Sequence, residues 1–144
     1  MSRTTGYLSG VAAIALTALL AATAHGAQGT APAPSADGGA QQMRGKALYT
    51  DKCSHCHQDS LKGTGEYPPL IGDTFWLNWE TYSANNLVEQ IRTTMPADDA
   101  GSLPRDNYVD ITAYILKMNG VTLTADLPID ADGLKAVILK RDGK

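Results

Sequence analysis

The feature that most restricts this chain is the pentapeptide Cys53-Ser54-His55-Cys56-His57, which contains both of its cysteines. In a helical turn, side chains three and four residues apart lie on the same side, so the two thiols and the imidazole of His57 face one neighbour. The C-x-x-C-H pattern is the attachment motif of a c-type haem. We therefore predict that Cys53 and Cys56 hold one haem c through thioether bonds, and that His57 is the proximal iron ligand.

Two other uses of these residues fit less well. A redox dithiol of the thioredoxin type opens a helix after a strand, whereas the sequence from Gln41 predicts a helix that runs into the motif. A zinc site needs four ligands, and only His55, in the same turn, or His25, near the N-terminus, remains to complete one. We expect His55, which lies between the two cysteines, to point into solvent.

The N-terminal segment resembles a secretory leader in its composition. Arg3 precedes an apolar stretch from Tyr7 to Ala24 that is built largely of alanine and ends in Ala22-Thr23-Ala24. A small-x-small ending is typical of a cleavage site, so we predict a signal peptide over residues 1–24. The alternative is a retained membrane anchor, because the stretch approaches the length that spans a bilayer. Either way, we expect the rest of the chain to face an extracytoplasmic compartment, which in a bacterium is the periplasm.

Charge restricts the partners of the chain. Its net charge is −3, and removal of Arg3 with the leader makes the remainder more negative. Nucleic acid is therefore not expected as a partner, because its phosphates repel an acidic surface. Protein partners are expected to offer basic or neutral patches, and contact with a membrane is expected only if the N-terminal segment is retained.

Helical patterns and breakers predict an all-α domain over residues 41–120, after a flexible linker over residues 25–40 that is rich in Ala, Gly and Pro. We predict about three main helices. The first leads from Gln41 into the cysteine motif. A glycine- and proline-rich loop follows, with a short helical turn from Asp73 to Leu77. The next two helices run over residues 84–93, after an N-cap at Ser83, and from Pro104 in a first-turn position to Asn119-Gly120. Residues 121–144 form a C-terminal extension of unassigned role, in which residues 136–139 are expected to pack as an extended strip.

A second axial ligand for the haem iron is sought among the methionines, because no histidine is left to reach the distal face. Met43 lies on the helix that leads into the motif, and Met118 ends the last predicted helix. Met95 instead follows a helix and precedes Pro96, which stiffens the loop. We therefore predict Met95 as the distal ligand. The alternatives are that Met95 only packs in the core or that the sixth iron site is vacant.

The order of these features resembles the monohaem class I cytochromes c. The resemblance runs from Gln41 to Gly120 and rests on a helix, C-x-x-C-H, a Gly/Pro-rich loop, a helix, Met95-Pro96, and a last helix that contains Asp110-Ile111-Thr112-Ala113-Tyr114. It implies a cytochrome c fold wrapped around one covalently attached haem. It also implies that the first and last helices cross at a shared set of residues, namely Gly45, Tyr49, Ile111 and Tyr114.

The same resemblance implies roles around the haem. A proline carbonyl, from Pro68 or Pro69, would accept the hydrogen of His57 Nδ1 and orient the ring. Trp76, Trp79 or Arg92 could donate to the haem propionates, and each is equally well explained as a packed side chain or a solvated charge. The run from Thr93 to Asp98, with Gly101-Ser102-Leu103, is similar to small cytochromes c associated with quinoprotein dehydrogenases.

We therefore predict a periplasmic electron carrier rather than an enzyme, with a His/Met-ligated haem c. Its expected donor is a dehydrogenase, and its expected acceptor is another cytochrome or a terminal oxidase. One alternative is a haem enzyme or gas sensor with an open sixth site. Another is a dedicated cytochrome subunit of a quinoprotein dehydrogenase complex, docked through the C-terminal extension.

Overall fold

The fold is known here from a computed structural model, which describes residues 38–142. This part of the chain is helical and has no β-strand beyond one isolated bridge between Ser83 and Ile138, so the predicted all-α class is confirmed. The signal peptide predicted for residues 1–24, most of the predicted linker, and residues 143–144 lie outside the described residues. The helices of the described range are α1 (Gly39–Lys52), α2 (Ser54–His57), α3 (Gly72–Trp79), α4 (Ala84–Thr94), α5 (Arg105–Met118) and α6 (Ala131–Ala136).

The limits of α4 and α5 follow from local chemistry. At the start of α4, the Ser83 hydroxyl accepts a hydrogen bond from the Asn86 N–H, and the Asn86 side chain accepts one from the Ser83 N–H, which is a capping box. The helix ends before Met95-Pro96, as the restriction on the residue before proline requires. Pro104 was predicted in the first turn of α5, but it lies one residue before that turn. Its ψ of 150° is extended, which makes it the N-cap.

The crossing of α1 over α5 organises the domain. Gly45 lies where the two backbones meet, and a Cβ atom there would collide with the Asp110 carbonyl oxygen and come within 3.0 Å of Tyr114 Cβ. One turn later the rings of Tyr49 and Tyr114 pack with their centroids 5.4 Å apart. The Arg44 guanidinium closes the crossing with two hydrogen bonds to Asp110, 2.7 and 3.1 Å long. The helix contact implied by the resemblance is therefore present in the structure.

Three short helices supplement the three main ones. The Cys53 backbone separates α2 from α1, and α3 is longer than the turn predicted from Asp73 to Leu77. α6 was not predicted, because its six residues include Gly133 and show no apolar period. It begins where the Asp130 carboxylate accepts a hydrogen bond from the Gly133 N–H.

The C-terminal extension packs as part of the same core. Leu127, Leu134 and Leu139 are at most 4% exposed. The buried Gln41 side chain of α1 makes both of its hydrogen bonds, 3.1 and 2.8 Å, to the backbone of Leu127. The extended strip predicted at residues 136–139 is present from Val137, where the backbone pairs with residues 81–84. Within residues 38–142 no helix is both long and apolar enough to cross a membrane.

Candidate functional site

A cavity of about 960 Å³ opens between the cysteine motif, α3, α4 and α5, and all four predicted haem-binding residues lie on its wall: Cys53, Cys56, His57 and Met95. Much of the remaining wall is apolar. Its apolar residues include Leu70, Phe75, Leu87, Ile91, Ile111 and Ile115. An apolar cavity with a few converging donor atoms is the usual form of a cofactor site.

The motif reaches the cavity through a break between two helices. α1 ends at Lys52, and the Cys53 N–H still donates to the Tyr49 carbonyl at 2.8 Å. The single turn of α2 follows, in which the His57 N–H donates to the Cys53 carbonyl at 3.0 Å. This turn holds both thiols and the imidazole against one space, as the spacing predicts. His55 is exposed and stands at the cavity rim.

The two thiols are not joined as a disulfide. Burial raises the pKa of the Cys53 thiol to about 11, and the neighbouring Cys56 adds to the rise. Cys53 is therefore a neutral thiol near neutral pH. A redox-active dithiol depends on a lowered pKa, so the raised pKa of Cys53 argues against a role in disulfide exchange.

His57 is fixed by its backbone surroundings. The ring is only 6% exposed, and its Nδ1 lies 3.0 Å from the Pro68 carbonyl oxygen. A carbonyl can only accept, so Nδ1 carries the hydrogen, and Nε2 is left with its lone pair for a metal. The structure thereby selects Pro68 over Pro69. Gly63 allows the loop to close against the Tyr67 carbonyl, where any Cβ atom would collide.

Met95 is the C-cap of α4 and has an extended backbone, with φ −131° and ψ 149°. Its N–H donates to the Ile91 carbonyl at 2.8 Å, and the residue is half-buried on the cavity wall. The two other methionines of the described range stand elsewhere, with Met43 67% exposed and Met118 43% exposed. Met95 is thus the methionine that residues 38–142 bring to the cavity.

The candidate propionate donors separate into two groups. Trp79 lines the cavity, but Trp76 and Arg92 do not. Trp76 lies under the guanidinium of Arg141, 5.7 Å from its ring centroid, and Arg92 pairs with Glu89 at 2.8 Å. For Trp76 and Arg92 the structure favours the alternative explanation, since Trp76 packs against Arg141 and Arg92 holds an ion pair.

Sequence reasoning missed several polar residues of the wall. Tyr67, Asn78, Tyr82 and Gln90 all line the cavity. They come from the loop before α3, from α3, from the loop after α3 and from α4, and no spacing pattern connects them. Only the packing of these four segments brings them to one surface.

The residues present fit a covalently bound haem. Two free thiols, an imidazole with Nε2 available and a thioether surround one apolar space. Among residues 38–142, no group of three or more His, Cys, Asp or Glu side chains could hold a metal ion by itself. The thiols, the imidazole and the thioether are groups that would suit an iron carried by a macrocycle.

Known proteins match most of this region. The sequence model of a family described as "Cytochrome C oxidase, cbb3-type, subunit III" matches residues 40–115. A relative in Stutzerimonas stutzeri (strain A1501), named thiosulfate dehydrogenase, is 33% identical over 90 residues, which are 57% of this chain and 29% of the relative. A chain in the crystal structure of the sulfane dehydrogenase SoxCD from Paracoccus pantotrophus has a TM-score of 0.52 and 24% identity. That match covers 74% of this chain and 60% of the other. The chain thus spans less than two thirds of either protein, and the structural likeness shows the fold alone.

Proposed function

Because the chain belongs to the cytochrome c family described as cbb3-type oxidase subunit III, whose members carry haem c and transfer electrons, we propose that it is a periplasmic single-electron carrier with His57 and Met95 as axial ligands. When bound, haem c supplies a one-electron ferrous/ferric couple. Cys53 and Cys56 hold the macrocycle, and the hydrogen bond from His57 Nδ1 to the Pro68 carbonyl keeps the imidazole at one angle.

The observation that carries this proposal is the convergence of the four side chains on one cavity. Residues 53–57 lie at the junction of α1 and α2, whereas Met95 follows the end of α4. An electron carrier needs both axial positions filled by the protein, so that the ligand set stays the same in both oxidation states. A thioether opposite an imidazole also raises the reduction potential relative to two imidazoles.

Electrostatics supports a partner with a basic docking patch. Asp98 lines the cavity and Asp99 follows it, and both are exposed. Lys52 lines the cavity as well, but its ammonium group is 2.9 Å from the Asp51 carboxylate. With the neighbouring Asp51 and Asp99, these lining residues supply three carboxylates and one ammonium group, and the whole chain has a net charge of −3. Docking should be brief and should weaken as salt screens these charges.

A dehydrogenase is the donor class that the relatives support, since the protein matched in Stutzerimonas stutzeri is named a thiosulfate dehydrogenase. We propose that the acceptor is a second cytochrome or a terminal oxidase. The proposed periplasmic location rests on the leader predicted at residues 1–24.

The test compares optical spectra of the ferric, haem-loaded protein with those of Met95→Ala. Sulfur-to-iron ligation gives a weak charge-transfer band in the far red, which we expect in the parent and not in the variant. Met118→Ala removes an exposed methionine that does not line the cavity and serves as the control, with its band expected intact. Absence of the band from the parent would refute Met95 ligation and favour an open-site haem protein. Survival of the band in Met95→Ala would also refute it, because another sulfur atom would then bind the iron.

A further inference from the structure

We propose that Tyr108 is a positioning residue that holds Met95 against the cavity by closing the loop in which Met95 stands. The proposal rests on the proposed function, in which Met95 is an iron ligand. Tyr108 lies in the first turns of α5 and does not line the cavity. Its role is therefore exerted through the backbone of Met95.

The proposal rests on two hydrogen bonds that the Tyr108 hydroxyl group makes. The Tyr108 hydroxyl donates to the Met95 carbonyl at 3.0 Å and accepts from the Leu103 N–H at 3.3 Å. A phenol can do both at once, since it has one donor and two lone pairs. Met95 begins the loop between α4 and α5, and Leu103 lies near its end. The single hydroxyl thus ties the two ends of the loop together.

The rest of the loop has little else to hold it. Its own hydrogen bonds are local, from the Asp99 N–H to the Pro96 carbonyl and from the Ser102 N–H to the Asp99 carbonyl. Residues 97–102 are exposed. Tyr108 by contrast is completely buried, at 0% exposure, so its ring cannot swing away to release the two backbone groups. The anchor is buried, whereas most of the anchored segment is exposed.

The two helices are fixed independently of this tie. The Arg105 guanidinium, at the start of α5, bonds the Glu89 carboxylate of α4 at 2.5 Å and the Ile129 carbonyl at 2.8 Å. Loss of the Tyr108 hydroxyl should therefore leave α4 and α5 in place and free only the loop between them. The expected effect is a change in how firmly Met95 stays on the iron, with little change in fold.

Tyr108→Phe removes the hydroxyl and keeps the ring. We expect the association constant of added imidazole for the ferric, haem-loaded protein, which competes with Met95, to rise about fivefold, the factor that one ordinary hydrogen bond supplies. The matched control is Thr112→Val, which removes another buried hydroxyl from α5, bonded only to the Tyr108 carbonyl at 2.8 Å. Its imidazole constant should stay within about twofold of the parent, as expected for a hydroxyl without a partner in the loop.

An unchanged imidazole constant in Tyr108→Phe would overturn the proposal, because the hydroxyl would then not hold the loop. An equal rise in Tyr108→Phe and Thr112→Val would also overturn it, because both variants would then loosen the domain in general. Amide hydrogen exchange separates this failure from failure of the proposed function. If the parent lacks the sulfur-to-iron band, Met95 is not a ligand and its positioning by Tyr108 falls with it. Faster exchange at Leu103 in Tyr108→Phe would then still report the tie itself.

Discussion

The replacement Gly45→Ala tests whether the close crossing of α1 and α5 holds the domain together. In an exposed helix, alanine in place of glycine stabilises by about 1 kcal/mol. At Gly45 the added methyl group meets the Asp110 carbonyl oxygen, which is backbone, and lies 3.0 Å from Tyr114 Cβ. Neither atom is the end of a flexible side chain, so the helices themselves must separate.

The expected loss of stability follows from the contacts that separation of α1 and α5 would disturb. Overpacking of a buried contact costs about 1–3 kcal/mol, and a rigid backbone neighbour places Gly45 at the upper end. The ring contact of Tyr49 with Tyr114, now 5.4 Å between centroids, is worth about 1 kcal/mol beyond its burial. After the gain in helix propensity is set against these losses, we expect Gly45→Ala to lower the free energy of unfolding by about 3 kcal/mol.

The assay is equilibrium unfolding of the haem-loaded protein in guanidinium chloride, followed by far-ultraviolet circular dichroism. Gly65→Ala is the matched control, because a Cβ atom there meets nothing within 4 Å. Its stability should equal that of the parent or exceed it slightly. If Gly45→Ala also equals or exceeds the parent, the helices have room for the methyl group, and the account of their crossing is wrong.

Three further predictions concern side chains that join distant segments. Gln41→Ala leaves two buried backbone groups of Leu127 unpaired, so unfolding free energy should fall by about 2–4 kcal/mol, with faster proteolysis after residue 120. Arg141→Ala should lower the free energy of unfolding more than Asp73→Asn does. The Asp73 carboxylate is 88% exposed, so its ion pair with Arg141 is worth under about 1 kcal/mol, whereas the Arg141 guanidinium also packs on the Trp76 ring. Equal losses of the two variants in urea unfolding would contradict this. Hydrogen bonds from two arginines lower the pKa of Glu89. The stability that Glu89 contributes is therefore complete above the ordinary glutamate pKa and is lost as pH falls through the lowered value. Glu89→Gln should be less stable than the parent at neutral pH, by under about 1 kcal/mol, and as stable as the parent in acid.

Short-range features were predictable because neighbouring residues decide them. The all-α class and the boundaries of α4 came from apolar spacing, the capping residue Ser83 and the proline after Met95. α6 was not predicted, because six residues with an internal glycine give no periodic signal. Pro104 was misplaced by one residue, since N-cap and first-turn positions both accept the proline ring and differ only in ψ.

In the candidate site, too, the local part was predictable from the sequence and the long-range part was not. The spacing of Cys53, Cys56 and His57 limits them to one face of a turn, whatever surrounds them. The approach of Met95 to that face depends on how α4 packs, and the sequence offered it only by elimination among methionines. The polar residues of the wall, such as Asn78 and Gln90, carried no signal because they look like ordinary solvated positions.

The sequence by itself determined that Cys53, Cys56 and His57 share one side of a turn, because a C-x-x-C-H turn is governed by the geometry of a few consecutive residues. Only the tertiary structure decided which proline carbonyl receives His57 Nδ1, that the Tyr108 hydroxyl joins both ends of the Met95 loop, and that Gln41 holds the C-terminal extension to the core. Each of these contacts joins backbone groups to side chains of another segment. Their partners are set by how helices pack in three dimensions, and no pattern along the chain records that packing.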